Sequence, residues 1–217
     1  MPDRIKLAVD SKTSVSLLKS GRMTGAEWLF IYAPGAGSGL HDPFGAFLAE
    51  RLPANAVECW RFQFPYMEAG RRGPDRPPVL EETWRAALAE AAGTGLRVVA
   101  GGRSMGGRIA SQVVAQGADA DALALFAYPL HPPGKPDDLR VAHLPSIQLP
   151  VLFCSGTRDT FASPSELTDA AALVPQSTVH FLDGADHGFT TLKSAGRTRQ
   201  EVWAEASAAL LSFLADK

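Results

Sequence analysis

A serine flanked by glycines two residues before and two after, Gly102-Arg103-Ser104-Met105-Gly106, lies between a short apolar run and a helical one. The chain must turn from strand to helix within those few residues. That forces the serine into a strained backbone conformation, and the glycines remove Cβ atoms that would collide. The hydroxyl then stands clear above the strand ends, while the helix that follows offers its first N–H groups to an anion. This pattern suits a serine nucleophile. A phosphate-binding loop needs G-x-x-x-x-G-K-[ST], and no lysine is present here. A dinucleotide fingerprint needs G-x-G-x-x-G, which this stretch does not spell.

A serine hydroxyl is a poor nucleophile near neutral pH and needs a base in contact with it. An imidazole, titrating near ~6.5 when unperturbed, can take that proton and return it to a leaving group. A carboxylate then fixes the tautomer and stabilises the imidazolium. Asp159 closes the run Ser155-Gly156-Thr157-Arg158-Asp159, and His187 lies in Asp183-Gly184-Ala185-Asp186-His187-Gly188-Phe189. Each follows a strand-like segment, so serine, acid and histidine come in one chain order, each just past a strand. Of the five histidines, His41 is in a glycine-rich loop, His131 and His143 are in a proline-rich loop, and His180 is within a strand. His187 alone lies past the last strand; His41 is the second choice and is expected to line the pocket. Asp183 is an alternative orienter, whereas Asp186, adjacent to His187, is a poor one.

Negative charge developing on a substrate oxygen needs two backbone donors. The N–H of Met105, directly after the serine, is one. The loop Ala33-Pro34-Gly35-Ala36-Gly37-Ser38-Gly39 supplies the other, with Ala36 the first choice and Gly35 the alternative, since glycines let backbone approach a substrate closely. Arg71 and Arg72, in a proline-rich loop, and Arg103 can recognise an acidic group on a substrate. Such arginines are more often solvated or structural, and Arg103 can instead pair with a carboxylate behind the turn.

These residues need a frame. Segments 5–9 and 15–18 are short and apolar enough for an opening hairpin. Runs 28–33, 56–64, 97–100, 122–128, 150–154 and 178–182 read as strands; 44–52, 78–92, 106–116, 164–173 and 197–214 read as helices. Proline-rich stretches 65–78 and 129–149 read as loops positioned to overhang the site. Strands alternating with helices imply crossover units and a mainly parallel sheet with helices on both faces, an α/β fold. In such sheets ligands bind at the carboxyl ends of the strands, where Ser104, Asp159 and His187 fall.

The chain has 217 residues, 46% hydrophobic and 20% charged, with a net charge of −2. That is enough for one sizeable core, so residues 1–217 are expected to form a single domain. No basic excess favours nucleic acid or an anionic membrane surface, and no secretory signal or membrane span is visible. Cys59 and Cys154 sit in apolar runs and read as buried thiols, which makes the cytoplasm the expected compartment. No metal or organic cofactor is indicated, and the expected partner is a small-molecule substrate.

The strings APGAGSG, GGRSMGG, YPLHPPGKP, VLFCSGTRD and DHGF together resemble the α/β-hydrolase-like family of testis-expressed protein 30 and subunit 3 of the nuclear NSL complex. The chain is also broadly similar to dienelactone hydrolases. The resemblance runs from about residue 28 to the final helix. It implies an α/β-hydrolase core without an inserted cap domain, and places the nucleophile on Ser104, the acid on Asp159 and the base on His187. Dienelactone hydrolases commonly carry cysteine at the nucleophile position. Serine stands there in this chain, so their substrate class does not transfer. The expected activity is hydrolysis of a small ester or thioester through an acyl-enzyme. The alternatives are a peptidase or acyltransferase using the same triad, and a binding module that retains the fold without catalysis.

Overall fold

A computed structural model describes residues 3–20 and 24–217. Asp3–Ala8 (β1) and Ser14–Ser20 (β2) form the expected antiparallel hairpin. Its turn is held by Asp10, whose Oδ1 accepts the N–H groups of Lys12 and Thr13, both at 2.7 Å. Then come Trp28–Ala33 (β3), helix Pro43–Arg51 (α1), Val57–Phe62 (β4), a short helix Pro65–Glu68 (α2) and helix Pro77–Ala91 (α3). The second half runs through Arg97–Arg103 (β5), Met105–Ala115 (α4), Ala122–Phe126 (β6), Val151–Gly156 (β7), Pro164–Ala171 (α5), Ser177–Leu182 (β8) and Arg199–Ala215 (α6).

The eight strands form one sheet in the order β1-β2-β4-β3-β5-β6-β7-β8. Pairing is antiparallel from β1 to β2 and from β2 to β4, and parallel from β4 onward. β3 is buried at every position, as a strand covered on both faces must be. Its alternate side chains feed two cores. Leu29, Ile31 and Ala33 pack with Trp84, Ile109 and Leu167 from α3, α4 and α5. Trp28, Phe30 and Tyr32 pack on the opposite face with Phe44, Leu48, Val202 and Leu210 from α1 and α6. Each fully buried leucine or phenylalanine stabilises the fold by about 1.5–3 kcal/mol. The result is an α/β-hydrolase fold with no separate cap domain.

Two boundaries depart from the sequence expectation for one physical reason. β5 continues through Gly101, Gly102 and Arg103, past the expected end at residue 100, and β7 continues through Ser155 and Gly156. Glycines there are not breakers; they admit neighbouring backbone. A Cβ on Gly101 would lie 2.1 Å from the Ala124 carbonyl oxygen, and one on Gly156 would lie 2.0 Å from that of Ala185. Within the expected loop 65–78, Pro65 opens the one-turn helix α2, a first-turn position where its missing N–H costs nothing. Cys59 and Cys154 are free and buried, as expected. Among the described residues, no helix is long and apolar enough to cross a membrane.

Candidate active site

β5 ends at Arg103 and α4 begins at Met105, so one residue makes the turn. Ser104 does so with φ 53° and ψ −119°, a conformation that costs a non-glycine residue roughly 1–3 kcal/mol. Its surroundings hold it there. Ser104 N–H donates to the Phe126 carbonyl at 2.8 Å, and the Ser104 carbonyl accepts from Arg108 N–H at 3.0 Å. The flanking glycines are sterically required: a Cβ on Gly102 would lie 2.0 Å from the Ala33 carbonyl oxygen, and one on Gly106 would lie 2.1 Å from the same atom. Trp84 Nε1 donates to the Gly106 carbonyl at 3.0 Å, tying α3 to the turn.

The loop after β8 brings His187 to Ser104 across 83 residues of sequence, with Nε2 to Oγ at 2.9 Å. Asp186 builds that loop: its Oδ1 accepts the N–H groups of Gly188 and Thr190, each at 2.9 Å. On its other side the His187 ring meets Asp159, with Nδ1 3.0 Å from Oδ1 and 2.8 Å from Oδ2. The Asp159 side chain is fully buried and that of His187 is 26% exposed. Two further donors converge on Asp159: Ser155 Oγ at 3.1 Å and Phe161 N–H at 2.9 Å. A carboxylate surrounded by donors accepts only, so the His187 hydrogen belongs on Nδ1. The Nε2 lone pair is then left to face the serine hydroxyl. The arrangement can draw a proton from Ser104 Oγ and hold the resulting imidazolium beside a buried carboxylate.

Asp183, the alternative orienter, faces elsewhere: its Oδ1 accepts from Thr157 Oγ1 at 3.4 Å. His41 is solvent-exposed, and it is His187 that reaches Ser104. His131 is bonded through Nδ1 to the Pro132 carbonyl, and His180 Nε2 lies 3.0 Å from Glu205.

For the two backbone donors, Met105 opens α4, and the N–H groups of a helix's first turn have no intrahelical acceptor. Gly35 packs directly against Ser104: a Cβ there would lie 3.5 Å from Ser104 Cβ. Ala36 is exposed, and its carbonyl accepts from Tyr66 Oη at 2.8 Å.

Arg103 turns inward. Its Nη2 donates to Asp42 Oδ1 at 3.0 Å, which is the carboxylate partner behind the turn and leaves this charge neutralised rather than offered to a substrate. Arg71 and Arg72 are exposed, and Arg71 pairs with Asp75 at 2.6 Å. Both proline-rich segments reach the site's edge. Tyr66 of the first touches Ala36, and Leu130 N–H of the second donates to the Phe161 carbonyl at 3.0 Å. The Phe161 ring lies on His187, with centroids 4.4 Å apart.

Sequence reasoning missed Ser155, Phe161, Tyr66 and Asp42. Ser155 and Phe161 flank the acid within four residues, and a polar residue just past a strand was the only signal for the serine. Asp42 had a signal, being an aspartate before proline at a helix start, but that marks a cap and says nothing of an ion pair with residue 103. Among the described residues, no group of three or more histidine, cysteine, aspartate or glutamate side chains could hold a metal ion.

A model of the alpha/beta hydrolase domain family matches residues 26–215. Solved structures agree in fold at low identity. A lidless α/β serine hydrolase from Xanthomonas campestris is similar at TM-score 0.74 and 15% identity, over 96% of this chain and 93% of that one. An α/β serine hydrolase homologue from Coxiella burnetii has TM-score 0.76 and 16% identity, covering 96% and 97%. A dienelactone hydrolase from Anabaena variabilis has TM-score 0.72 and 18% identity, covering 98% and 97%.

Proposed function

The chain belongs to the alpha/beta hydrolase domain family, and from that premise we propose that it is a serine hydrolase cleaving esters or thioesters of small substrates through an acyl-enzyme on Ser104. The observation that carries this is the unbroken relay from Ser104 Oγ to His187 Nε2 at 2.9 Å and from His187 Nδ1 to Asp159 at 2.8 Å. The strained turn adds support, because strain at a serine that also faces a histidine has an evident use.

In the first half-reaction Ser104 Oγ attacks the substrate carbonyl carbon while His187 Nε2 takes its proton. Charge on the carbonyl oxygen is met by the N–H of Met105 and that of Ala36, with Gly35 the alternative. The tetrahedral adduct collapses, the C–O or C–S bond breaks, and His187 gives its proton to the departing group. Water, activated by the same imidazole, then cleaves the acyl-enzyme and restores the serine. Without a cap, the site takes short soluble esters in preference to long insoluble ones. The shared strings described above support a place beside the testis-expressed protein 30 and NSL subunit 3 relatives, with residues 1–217 acting as one domain.

A fluorophosphonate probe read by mass spectrometry tests this. Labelling on Ser104 in the wild type, lost in His187→Ala, is the expected result. A folded wild type that takes no label on Ser104 overturns the reading.

A further inference from the structure

A backbone N–H stabilises a developing charge only if it stays within hydrogen-bond reach of one point in space. The β3–α1 loop that carries Gly35 and Ala36 has little of its own to hold it there. Three of its residues are glycine, and Ala36 and Gly37 are exposed. Tyr66 Oη holds the Ala36 carbonyl at 2.8 Å and Gln63 Oε1 holds the Leu40 N–H at 2.9 Å, and a buried polar cluster anchors the far end. Asp42, with a side chain 2% exposed, receives four donors: Tyr32 Oη at 2.6 Å, Ser38 Oγ at 2.8 Å, Gly45 N–H at 2.9 Å and Arg103 Nη2 at 3.0 Å. Arg103 Nη2 also reaches Ser38 Oγ at 3.3 Å. The loop closes on itself through Ser38 N–H to the Gly35 carbonyl, at 3.1 Å.

The donors come from distinct places. Tyr32 and Gly45 anchor Asp42 to the strand before the loop and the helix after it. Arg103 belongs to neither: it is the residue next to the nucleophile. Its side chain therefore crosses from the strand that presents Ser104 to the loop that presents the second backbone donor. Gly35, packed 3.6 Å by its would-be Cβ from the Arg103 carbonyl oxygen, lies between the two.

We propose that Arg103 and Asp42 are positioning residues whose ion pair, with Ser38 as the bridge, sets the distance between the nucleophile and the oxyanion-binding loop. This rests on the serine-hydrolase reading. Neither side chain touches the reacting atoms. The pair acts by keeping two backbones in register, so its loss should weaken stabilisation of the transition state more than binding of the ground state.

The test compares wild type with Arg103→Met, Arg103→Lys and Ser38→Ala, using p-nitrophenyl acetate and its thiono counterpart, in which sulfur replaces the carbonyl oxygen. Sulfur accepts hydrogen bonds poorly, so the oxo-to-thiono rate ratio reports donation to the developing charge. In Arg103→Met, kcat should fall about 10- to 100-fold with KM changed less than about threefold, and the ratio should fall about tenfold. Arg103→Lys should recover part of both, and Ser38→Ala should show a smaller loss of the same kind. If Arg103→Met fails to fold, the other two variants carry the test. Variants that fold and keep wild-type kcat overturn the proposal, and so does a fall in kcat with an unchanged oxo-to-thiono ratio. Ser104 labelling in the wild type keeps the two readings separate: a labelled wild type with unaffected variants overturns only the positioning role, and an unlabelled one overturns both.

Discussion

Two serine–histidine pairs lie in this molecule at nearly the same distance, and their hydrogen bonds run in opposite directions. Ser104 Oγ is 2.9 Å from His187 Nε2, and Ser111 Oγ is 2.8 Å from His143 Nε2. The difference lies in where the hydrogens must go. Ser111 sits in the regular part of α4 and gives its one hydroxyl hydrogen to the Arg108 carbonyl at 2.8 Å. His143 Nε2 must then be the donor and the serine oxygen the acceptor. At the other pair, Asp159 claims the hydrogen of His187 Nδ1, so Nε2 accepts and the serine donates. The surroundings diverge in the same way. Burial, with the Arg108 charge nearby, pushes His143 down to about 4, so that ring is neutral at physiological pH. Ser111 is wholly buried on regular helix, whereas Ser104 is half-buried on a strained turn beside the opening N–H of a helix. Proximity of a hydroxyl to an imidazole therefore does not by itself mark the proposed catalytic pair; polarity of the hydrogen bond and access distinguish it.

The sharpest way to break this contrast is to delete each hydroxyl. Ser104→Ala should lower kcat for a small ester by on the order of 10⁶, while Ser111→Ala should leave kcat within a few-fold and cost about 1 kcal/mol of stability in a denaturant titration. Comparable kinetic losses in both variants would erase the distinction drawn above. The next largest effect is expected at the orienter. Asp159→Asn should lower kcat about 10⁴-fold, because an amide can donate to Nδ1 and favour the tautomer already present at His143. A loss of less than tenfold would show that tautomer control does not separate the pairs.

The smallest effect is on stability against pH. Since His143 is held near 4 in the fold against 6.5 as the ordinary value, the unfolded chain binds a proton between those limits that the native chain does not. Stability from this group is whole above about pH 6.5 and is lost as pH falls toward 4. With its partial exposure taken into account, the loss is about 1–2 kcal/mol. His143→Gln should flatten that part of the profile, read as melting temperature between pH 7 and pH 4.5, and leave any turnover of a small ester unchanged. An unchanged slope would mean that the ring is not held neutral by its surroundings.

Much of the site is visible in the chain because its parts are local. The glycines around Ser104 answer to collisions within a few residues of the turn, and β3, buried at all six positions, reads as an apolar run. The extension of β5 through Gly101 and Gly102 was not legible: a glycine pair has the same look whether it breaks a strand or admits the Ala124 and Ala33 carbonyls beside it. For Arg103 the sequence allowed an internal carboxylate partner as well as a rim charge, but not which carboxylate it would be. Its carboxylate lies 61 residues away, at a helix cap whose own sequence signal is complete without it.

The amino-acid order by itself set the strand–helix alternation, the strained serine and the placement of one acid and one histidine past later strands, because each follows from sterics or polarity among near neighbours. Only the folded sheet decided which side chains meet. β6 separates β5 from β7, and β8 lies at the edge, so Ser104, Asp159 and His187 come together through loops that lean over the strand ends. The same packing placed Ser111 against His143 with the opposite hydrogen-bond polarity. Such contacts depend on distances across the whole core, which no local stretch of sequence encodes.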